Sequence, residues 1–258
     1  MSETTHIMLE APYYAQADVI VVGAGPAGVA AAISAARSGA SVILVERSGQ
    51  PGGMATLGTV SIFMTIGNLT GIYREIIAAI RPDFLLQNAQ PENLKIQFNP
   101  LLLRYHLNRM IERENIQLLY HTDFITPLMV GCAVTGVVVK TREGLKTLKG
   151  RVVIDCTGNA EVAIAAGAPY KTGRDEDGLT QPMTLMFQMQ NTGSPVQAEL
   201  PDGCYHYETV ADLPQGRRLL WELKPDGTLI VNMTRVKGNG ALIADSSHAE
   251  VEALKQVF

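Results

Sequence analysis

Short apolar runs and amphipathic stretches alternate along the first part of the chain, which predicts strands and helices in turn. Residues 19–22 form an unbroken apolar run, as expected for a strand covered on both faces. The alanine-rich residues 29–36 predict a thin helix that packs closely on a sheet. Residues 41–45, SVILV, predict a second strand. This order predicts a β-α-β unit with two parallel strands.

Later segments extend this pattern. Residues 69–80 have apolar positions at helical spacing, and Asn99 followed by Pro100 predicts the start of another helix, because asparagine caps and proline suits the first position. Strand candidates at residues 116–120, 124–130, 136–141 and 145–149 predict an inserted β-meander over about residues 116–150, which precedes a return to the main sheet at residues 152–154.

A glycine turn joins the first strand to the first helix with the spacing G-x-G-x-x-G. Gly23 permits a tight turn, Gly25 lets a diphosphate approach the backbone, and Gly28 lets the helix lie close to the sheet. A phosphate would then meet the positive end of the helix. Glu46 ends the second strand, where it is placed to accept hydrogen bonds from a ribose. The complete context favours a dinucleotide site over a glycine turn without a ligand.

Composition excludes several other classes of protein. The 258 residues, 47% of them hydrophobic, are enough for one large α/β domain or for one domain plus part of another. The net charge of −4 and the scattered basic residues predict no nucleic-acid or membrane partner. No leader or spanning segment is recognisable, so we expect a cytoplasmic protein. The spacing of the cysteines and histidines predicts neither disulfides nor a metal site, and we expect partly buried, inert thiols at Cys132, Cys156 and Cys204.

Two loops follow predicted strands at the same edge of the sheet. Residues 47–58, RSGQPGGMATLG, keep side chains small, as is typical where backbone passes a bulky ligand, although a flexible surface turn has a similar composition. Thr157 and Gly158 follow the strand at residues 152–154 and would line a nucleotide. Asp155 either contributes to that site or caps the local turn.

These motifs together resemble the FAD-dependent oxidoreductase family whose members share a glutathione-reductase-type flavin domain. The resemblance rests on GAGPAG with Glu46, on ERSGQPGGMAT, on IDCTGNAEVAIAAGAP and on residues 178–187, and it extends over residues from about 17 to 238. It implies an α/β fold: a Rossmann-like FAD-binding domain over residues 15–175, with the β-meander inserted, and part of a β-rich substrate or cap domain over residues 176–258.

The resemblance also implies a role for each motif. The glycine turn would hold the diphosphate, Glu46 the adenosine ribose, Phe124 the adenine through its backbone, and residues 53–55 the isoalloxazine. Asn159 stands where the family often has an acid. The implied cofactor-binding residues are Gly23, Gly25, Pro26, Ala27, Gly28, Glu46, Arg47, Gly53, Met54, Ala55, Phe124, Thr157 and Gly158.

The expected activity is hydride transfer between a small-molecule substrate and the flavin. An arginine near the flavin would indicate a carboxylate-bearing substrate, although most arginines have solvated or paired roles. His206 is the histidine that we would test as a proton donor. The candidate substrate-side residues are Arg174, Gln181, Thr184, Asn232 and Arg235. Two alternatives remain open: an NAD-dependent dehydrogenase with the same glycine turn, and a flavin-binding or electron-relay subunit without turnover.

The last residues predict a helix that begins with a capping box of Ser247 and Glu250 and ends without a C-cap. Family members normally continue and return to the flavin domain. We therefore expect a fragment or truncated chain, in which a homo-oligomer or a second chain completes the flavin site.

Overall fold

A computed structural model describes residues 5, 7–65, 69–83, 94–195, 200–213, 220–223, 228–238 and 243–257. Phe258, the last residue of the predicted C-terminal helix, lies outside them. The chain divides into two compact units, a first unit over Met1–Pro169 and a second unit over Tyr170–Phe258. No helix in these ranges is both long and apolar enough to cross a membrane.

A six-stranded sheet forms the centre of the first unit. Its strands are β1 (Tyr13–Val22), β2 (Val42–Val45), β5 (Gln117–Leu119), β6 (Asp123–Val130), β7 (Ala133–Thr141) and β8 (Gly144–Asp155). Their order in the sheet is β5-β2-β1-β8-β7-β6. The first four strands in this order are parallel, and β8, β7 and β6 pair antiparallel. The predicted α/β class, with a parallel sheet and antiparallel strands attached to it, is therefore confirmed.

The antiparallel part differs from the predicted meander in two ways. The strand predicted at residues 116–120 is β5, which pairs parallel with β2 at the opposite edge from β6, because a helix rather than a hairpin turn precedes it. The separate strands predicted at residues 145–149 and 152–154 are one continuous β8, which pairs with β1 along its length. Gly150 does not break this strand: a Cβ there would lie 2.9 Å from Ile20.

Five of the connecting elements pack against or beside this sheet. The predicted helix cap at Asn99 is confirmed, since Asn99 Oδ1 accepts hydrogen bonds from the N–H groups of Leu101 (2.9 Å) and Leu102 (3.3 Å). A two-stranded antiparallel sheet lies between α1 and α3 in the chain. These elements are α1 (Pro26–Arg37), β3 (Ile62–Thr65), α2 (Gly71–Ile80), β4 (Leu94–Gln97) and α3 (Pro100–Arg113).

The core of the first unit lies on both faces of the sheet. Val21 of β1 packs in one cluster with residues of α1, α2 and α3. Its neighbours Ile20 and Val22 belong to a second cluster with residues of β7 and β8. Because successive side chains of a strand point to opposite faces, this arrangement explains the unbroken apolar run at residues 19–22. The short helix α4 (Glu161–Ala165) follows β8.

The second unit contains a three-stranded antiparallel sheet and a helix. The strand order is β10-β11-β9, with β9 at Phe187–Gln190, β10 at Leu220–Leu223 and β11 at Thr228–Val231. The helix α5 covers Ile243–Val257 and therefore begins before Ser247, so the capping box predicted there is wrong. Serine and glutamate at this spacing also occur within helices, where they cap nothing. Among the cysteines, Cys156 and Cys204 are partly buried as expected, whereas Cys132 is exposed in the β6–β7 turn.

Candidate functional site

A cavity of about 520 Å³ opens in the first unit where β1, β2 and β8 end. Its volume is typical of small-molecule sites, and its position is the one at which open α/β sheets bind ligands. Its walls come from the glycine turn, the loop after β2, the start of β6 and the loop after β8. The predicted cofactor-binding residues line this cavity, except Gly28 and Ala55.

The three glycines of the turn have different physical roles. Gly23 has a φ of +97°, and a Cβ there would lie 2.3 Å from the carbonyl oxygen of Cys156. A Cβ on Gly28 would lie 1.8 Å from the carbonyl oxygen of Gly23, which explains why Gly28 is behind the cavity wall. A Cβ on Gly25 would have no atom within 4 Å. Packing within the protein therefore requires glycine at two positions, while Gly25 leaves open space for a ligand.

The helix α1 begins at this open space. Gly25 is its N-cap and makes no side-chain capping bond, and Pro26 occupies the first helical position. The N–H groups of the first turn of a helix have no acceptor within the helix. Together with the helix dipole, they form an anion-binding position on the cavity wall.

Glu46 connects two walls of the cavity. Its side chain is buried, with only 7% of the residue exposed. One carboxylate oxygen accepts from the N–H of Ala24 at 2.7 Å, and the other accepts from the N–H of Ser48 at 2.8 Å. Each oxygen has a second lone pair, so the carboxylate can still accept from a ligand hydroxyl. Ser48 was not predicted, because no motif marks a backbone donor.

The loop after β2 is a packed element and not a flexible turn. The N–H of Gly52 donates to the carbonyl of Ala24 at 2.7 Å, and the Thr56 hydroxyl donates to the carbonyl of Pro51 at 2.6 Å. A Cβ on Gly53 would lie 3.2 Å from the Cα of Gly25, so the loop lies directly against the glycine turn.

The predicted flavin-facing residues 53–55 do not all face the cavity. Ala55 is buried, with 5% of the residue exposed, and its N–H donates to the carbonyl of Gly52 at 3.0 Å. It lies behind the cavity wall because these residues form a single 3₁₀ turn that directs it into the core. Gly53 and Met54 line the cavity, together with Leu57, which was not predicted.

Asp155 caps the loop after β8 and the start of α4. Its carboxylate accepts from the N–H of Thr157 at 3.0 Å, from the Thr157 hydroxyl at 2.8 Å and from the N–H of Ala163 at 2.9 Å. Burial raises the pKa of Asp155, but these hydrogen bonds outweigh burial and hold the pKa below its ordinary value. Of the two predicted alternatives, the structure therefore supports the local cap.

Thr157 and Cys156 lie in the loop after β8, which forms one wall of the cavity. The Thr157 hydroxyl accepts from the N–H of Glu161 at 2.9 Å, so its hydrogen-bonding capacity serves this loop. Cys156 was not predicted as a cavity residue. Burial and the nearby Asp155 carboxylate raise the pKa of the Cys156 thiol, which keeps it neutral.

Arg47 and Phe124 lie at two further parts of the wall. Arg47 forms a 4.0 Å ion pair with Glu161, which joins the loop after β2 to the start of α4. The Asn159 side chain donates to the same carboxylate at 3.3 Å. Phe124 lies in β6 and is accompanied by two cavity residues without a recognisable signal in the sequence, Thr122 and Asp123.

The predicted substrate-side residues all lie in the second unit. Arg174 forms two 2.7 Å hydrogen bonds with Asp177, which lower the pKa of the Asp177 carboxyl. Arg174 is therefore paired within its own turn. Gln181 and His206 are exposed, and no hydrogen bond joins them to the other candidates in the part of the chain described.

Two hydrogen-bonded chain segments of the second unit contain three of the predicted residues, Thr184, Asn232 and Arg235. The Thr184 hydroxyl lies 2.7 Å from Asn232 Oδ1, 2.9 Å from the carbonyl of Thr234 and 3.1 Å from the Thr234 hydroxyl. Thr184 therefore links two chain segments. Thr234, which is buried, was not predicted.

Comparisons with known proteins found similar chains and a similar fold. The chain is 49% identical over 49 residues to the sarcosine oxidase subunit alpha of Rhizobium meliloti (strain 1021), a match that covers 19% of the chain and 5% of that protein. It is 43% identical over 54 residues to the thioredoxin reductase of Ureaplasma parvum serovar 3 (strain ATCC 700970), covering 21% of the chain and 18% of that protein. The crystal structure of AlpK has a similar fold, with a TM-score of 0.53 and 15% identity over 91% of this chain and 48% of AlpK.

The chain therefore spans less than half the length of these relatives. A family model described as FAD dependent oxidoreductase matches residues 18–244, which is most of the chain. The glycine turn, the buried acid and the cavity all lie within that match. The protein belongs to the FAD-dependent oxidoreductase family, and its cofactor is FAD.

Proposed function

We propose that this enzyme transfers a hydride between a small-molecule substrate and FAD held in the cavity of the first unit. The observation that carries the proposal is the open space at Gly25, next to an uncapped helix start and the buried Glu46. These groups fit the diphosphate and ribose of a dinucleotide. When bound, FAD supplies the redox chemistry by accepting or donating a hydride.

The chain's own residues bind and orient this cofactor. The first-turn N–H groups of α1 stabilise phosphate charge, and Glu46 accepts from ribose hydroxyls through its free lone pairs. The N–H groups of Gly53 and Met54 have no acceptor in the described part of the chain, so they are available to a ligand. Fixed backbone donors of this kind stabilise negative charge that develops during a reaction.

The proposal includes a partner surface at the rim of the cavity. Met54 and Leu57 line the cavity and are 71% and 62% exposed. Apolar side chains at such a rim support a flavin site that a further segment, a second copy or a second chain completes. One relative is itself named as a subunit. We place the activity in the cytoplasm, in agreement with the free cysteines.

Visible spectroscopy with anaerobic reduction tests this function. The purified protein should show a flavin spectrum and release FAD on denaturation. Anaerobic addition of amine, thiol and hydroxy-acid donors, or of NADH, should bleach the spectrum with at least one donor. A flavin that stays oxidised with every donor would indicate a binding or relay subunit, and a colourless protein that binds NAD would indicate a dehydrogenase.

A further inference from the structure

A strained turn follows β5 beside the cavity wall. His121 has a φ of +50°, a left-handed conformation that is uncommon for residues other than glycine, and the next residue, Thr122, lines the cavity. The His121 ring lies so close to the loop after β2 that a Cβ on Gly49 would be 2.9 Å from Cε1 and Nε2. Strained backbone of this kind persists only where the surrounding structure holds it. The contacts that hold the turn therefore indicate its role.

The turn holds the backbone of the buried acid Glu46. The N–H of Glu46 donates to the carbonyl of Leu119 at 2.9 Å, and the N–H of Thr122 donates to the carbonyl of Glu46 at 3.1 Å. The N–H of His121 donates to the carbonyl of Ser48 at 3.2 Å. A displacement of the turn would therefore move the backbone from which the Glu46 carboxylate reaches the cavity.

The Tyr120 side chain anchors this turn to α3. Its hydroxyl donates to Asn108 Oδ1 at 2.8 Å. Asn108 Nδ2 donates to the carbonyl of Arg104 at 2.8 Å, and because a carbonyl can only accept, this bond fixes the orientation of the amide. The Arg104 guanidinium donates to the carbonyl of Gly49 at 3.3 Å. Adjacent turns of one helix therefore hold both the turn after β5 and the loop after β2.

The Tyr120 hydroxyl is a neutral donor behind the cavity wall. Burial raises the pKa of Tyr120 to about 12, against the opposing effects of Arg104 and of the hydrogen bond to Asn108, and the charge of Glu46 adds a smaller increase. The hydroxyl therefore keeps its proton at neutral pH. Among the residues that the structure describes, Tyr120 does not line the cavity, so it acts on a ligand through the turn.

We propose that Tyr120 is a positioning residue, which places the Glu46 carboxylate for the adenosine ribose and so gives the cavity a preference for ribonucleotides over deoxyribonucleotides. The inference rests on the proposed function, because it takes Glu46 as the acceptor of the ribose hydroxyls. Without the hydrogen bond of Tyr120, the strained turn relaxes and displaces the backbone of Glu46. The ribose hydroxyls then lose a directional hydrogen bond, while the start of α1 at Gly25 still binds the phosphates.

Calorimetric titration of the full chain, freed of its flavin, with ADP tests the inference. ADP is the adenosine half of FAD, and the comparison ligands 2′-deoxy-ADP and 3′-deoxy-ADP each lack one ribose hydroxyl but keep the diphosphate. The wild type should bind ADP at least about tenfold more tightly than one of these analogues, as expected for a hydroxyl bonded to a charged group. In Tyr120→Phe this ratio of affinities should fall at least about threefold.

The ratio distinguishes a positioning role from a structural one, because a general loss of stability weakens both ligands of one variant alike. Tyr105→Phe removes a hydroxyl from a tyrosine of the same helix that is 59% exposed, so it is the matched control and should keep the wild-type ratio.

Asn108→Ala removes the acceptor of the Tyr120 hydroxyl and should also lower the ratio. The double variant should have the ratio of Asn108→Ala alone, because both changes break the same hydrogen bond. Losses that add in the double variant would overturn the inference. If Tyr120→Phe does not fold, the ratio in Asn108→Ala decides in its place.

Three further results would overturn the inference. They are a wild type that does not bind ADP more tightly than either analogue, an unchanged ratio in Tyr120→Phe, and an equal fall in Tyr105→Phe. If Tyr120→Phe unfolds at a lower urea concentration but keeps the wild-type ratio, Tyr120 serves the fold alone. Anaerobic reduction is a separate signal: a flavin that no donor reduces contradicts the proposed hydride transfer, whereas a reducible flavin with an unchanged ratio contradicts this inference alone.

Discussion

The cavity of the first unit and the region around Arg235 in the second unit differ in how far the protein itself occupies their hydrogen-bonding groups. In the cavity, the open space at Gly25 and the start of α1 present backbone N–H groups. Around Arg235, the Gln256 side chain accepts from the Arg235 N–H and donates to its carbonyl, and the Thr184 hydroxyl donates to the carbonyl of Thr234. Backbone donors beside a residue that lacks a side chain leave room for a ligand, whereas side chains that bond the protein's own backbone stabilise the fold. The following four substitutions test this distinction within the cavity, from the largest expected effect to the smallest.

Gly28→Val should have the largest effect, because this glycine serves packing. A Cβ there would lie 1.8 Å from the carbonyl oxygen of Gly23, which is backbone and cannot move aside. We expect a loss of about 3 kcal/mol or more in the free energy of unfolding, the upper range for overpacking. Urea denaturation followed by circular dichroism measures it. A variant as stable as the wild type would show that the turn is not as closely packed as described.

Gly25→Val should separate cofactor binding from folding. The added side chain enters open space, so the free energy of unfolding of the flavin-free protein should change by less than about 0.5 kcal/mol. The same side chain would occupy the position of the diphosphate, and FAD retention should be lost. Released FAD per protein, measured beside a urea titration, checks both. A folded variant with its full FAD content would contradict the assignment of this turn.

Glu46→Gln should weaken both the fold and the cofactor site. The amide has one acceptor oxygen, so it cannot accept from both Ala24 and Ser48 and still serve a ribose. We expect a loss of about 1.5–3 kcal/mol in the free energy of unfolding, typical of a hydrogen bond to a charged group. FAD affinity should fall as well. Equal FAD affinity in the variant and the wild type would mean that Glu46 only links the glycine turn to the loop after β2.

Asp155→Asn should have the smallest effect and a defined pH dependence. At pH 7 the variant should lose about 1 kcal/mol in the free energy of unfolding, as for other helix caps. The folded-state pKa of Asp155 is lowered, so its contribution is present above the ordinary value of 3.8 and is lost as the pH falls through the folded value.

The stability difference between the wild type and Asp155→Asn should therefore be constant between pH 7 and 5 and shrink in more acidic solution. Urea titrations across this range measure it. A difference that grows on acidification would contradict the described cap. FAD retention should change little, since the carboxylate serves the loop and not the ligand.

The comparison of the two regions also explains what could be predicted from the sequence. Glycines at fixed spacing after an apolar run leave few alternatives to a dinucleotide-binding turn, so the turn and Glu46 were recognisable from the sequence. The roles of the individual glycines were not, because the short distances at Gly23 and Gly28 depend on how the turn packs against Cys156 and against itself. Ala55 was assigned to the cavity wall because a loop motif does not indicate which way each residue of a 3₁₀ turn faces.

The differences between the predicted and the observed fold also arise from tertiary packing. The strands predicted at residues 145–149 and 152–154 are one long strand, in which Gly150 permits close contact with Ile20. Cavity residues such as Ser48 and Asp123 contribute through their position at strand ends, for which no residue type is required. In the second unit, Arg235 was one arginine among several. The sequence does not distinguish it from Arg174, which is paired with Asp177, whereas the buried Nε of Arg235 has no acceptor in the described part of the chain.

Crystallography of the purified flavoprotein would test the central claim most directly, namely that the open space at Gly25 holds the diphosphate of FAD. We predict electron density for the diphosphate against Gly25 and the first turn of α1, with the adenosine ribose hydroxyls within hydrogen-bonding distance of the Glu46 carboxylate. Density for FAD elsewhere, or a cavity filled by the chain's own residues, would contradict the account.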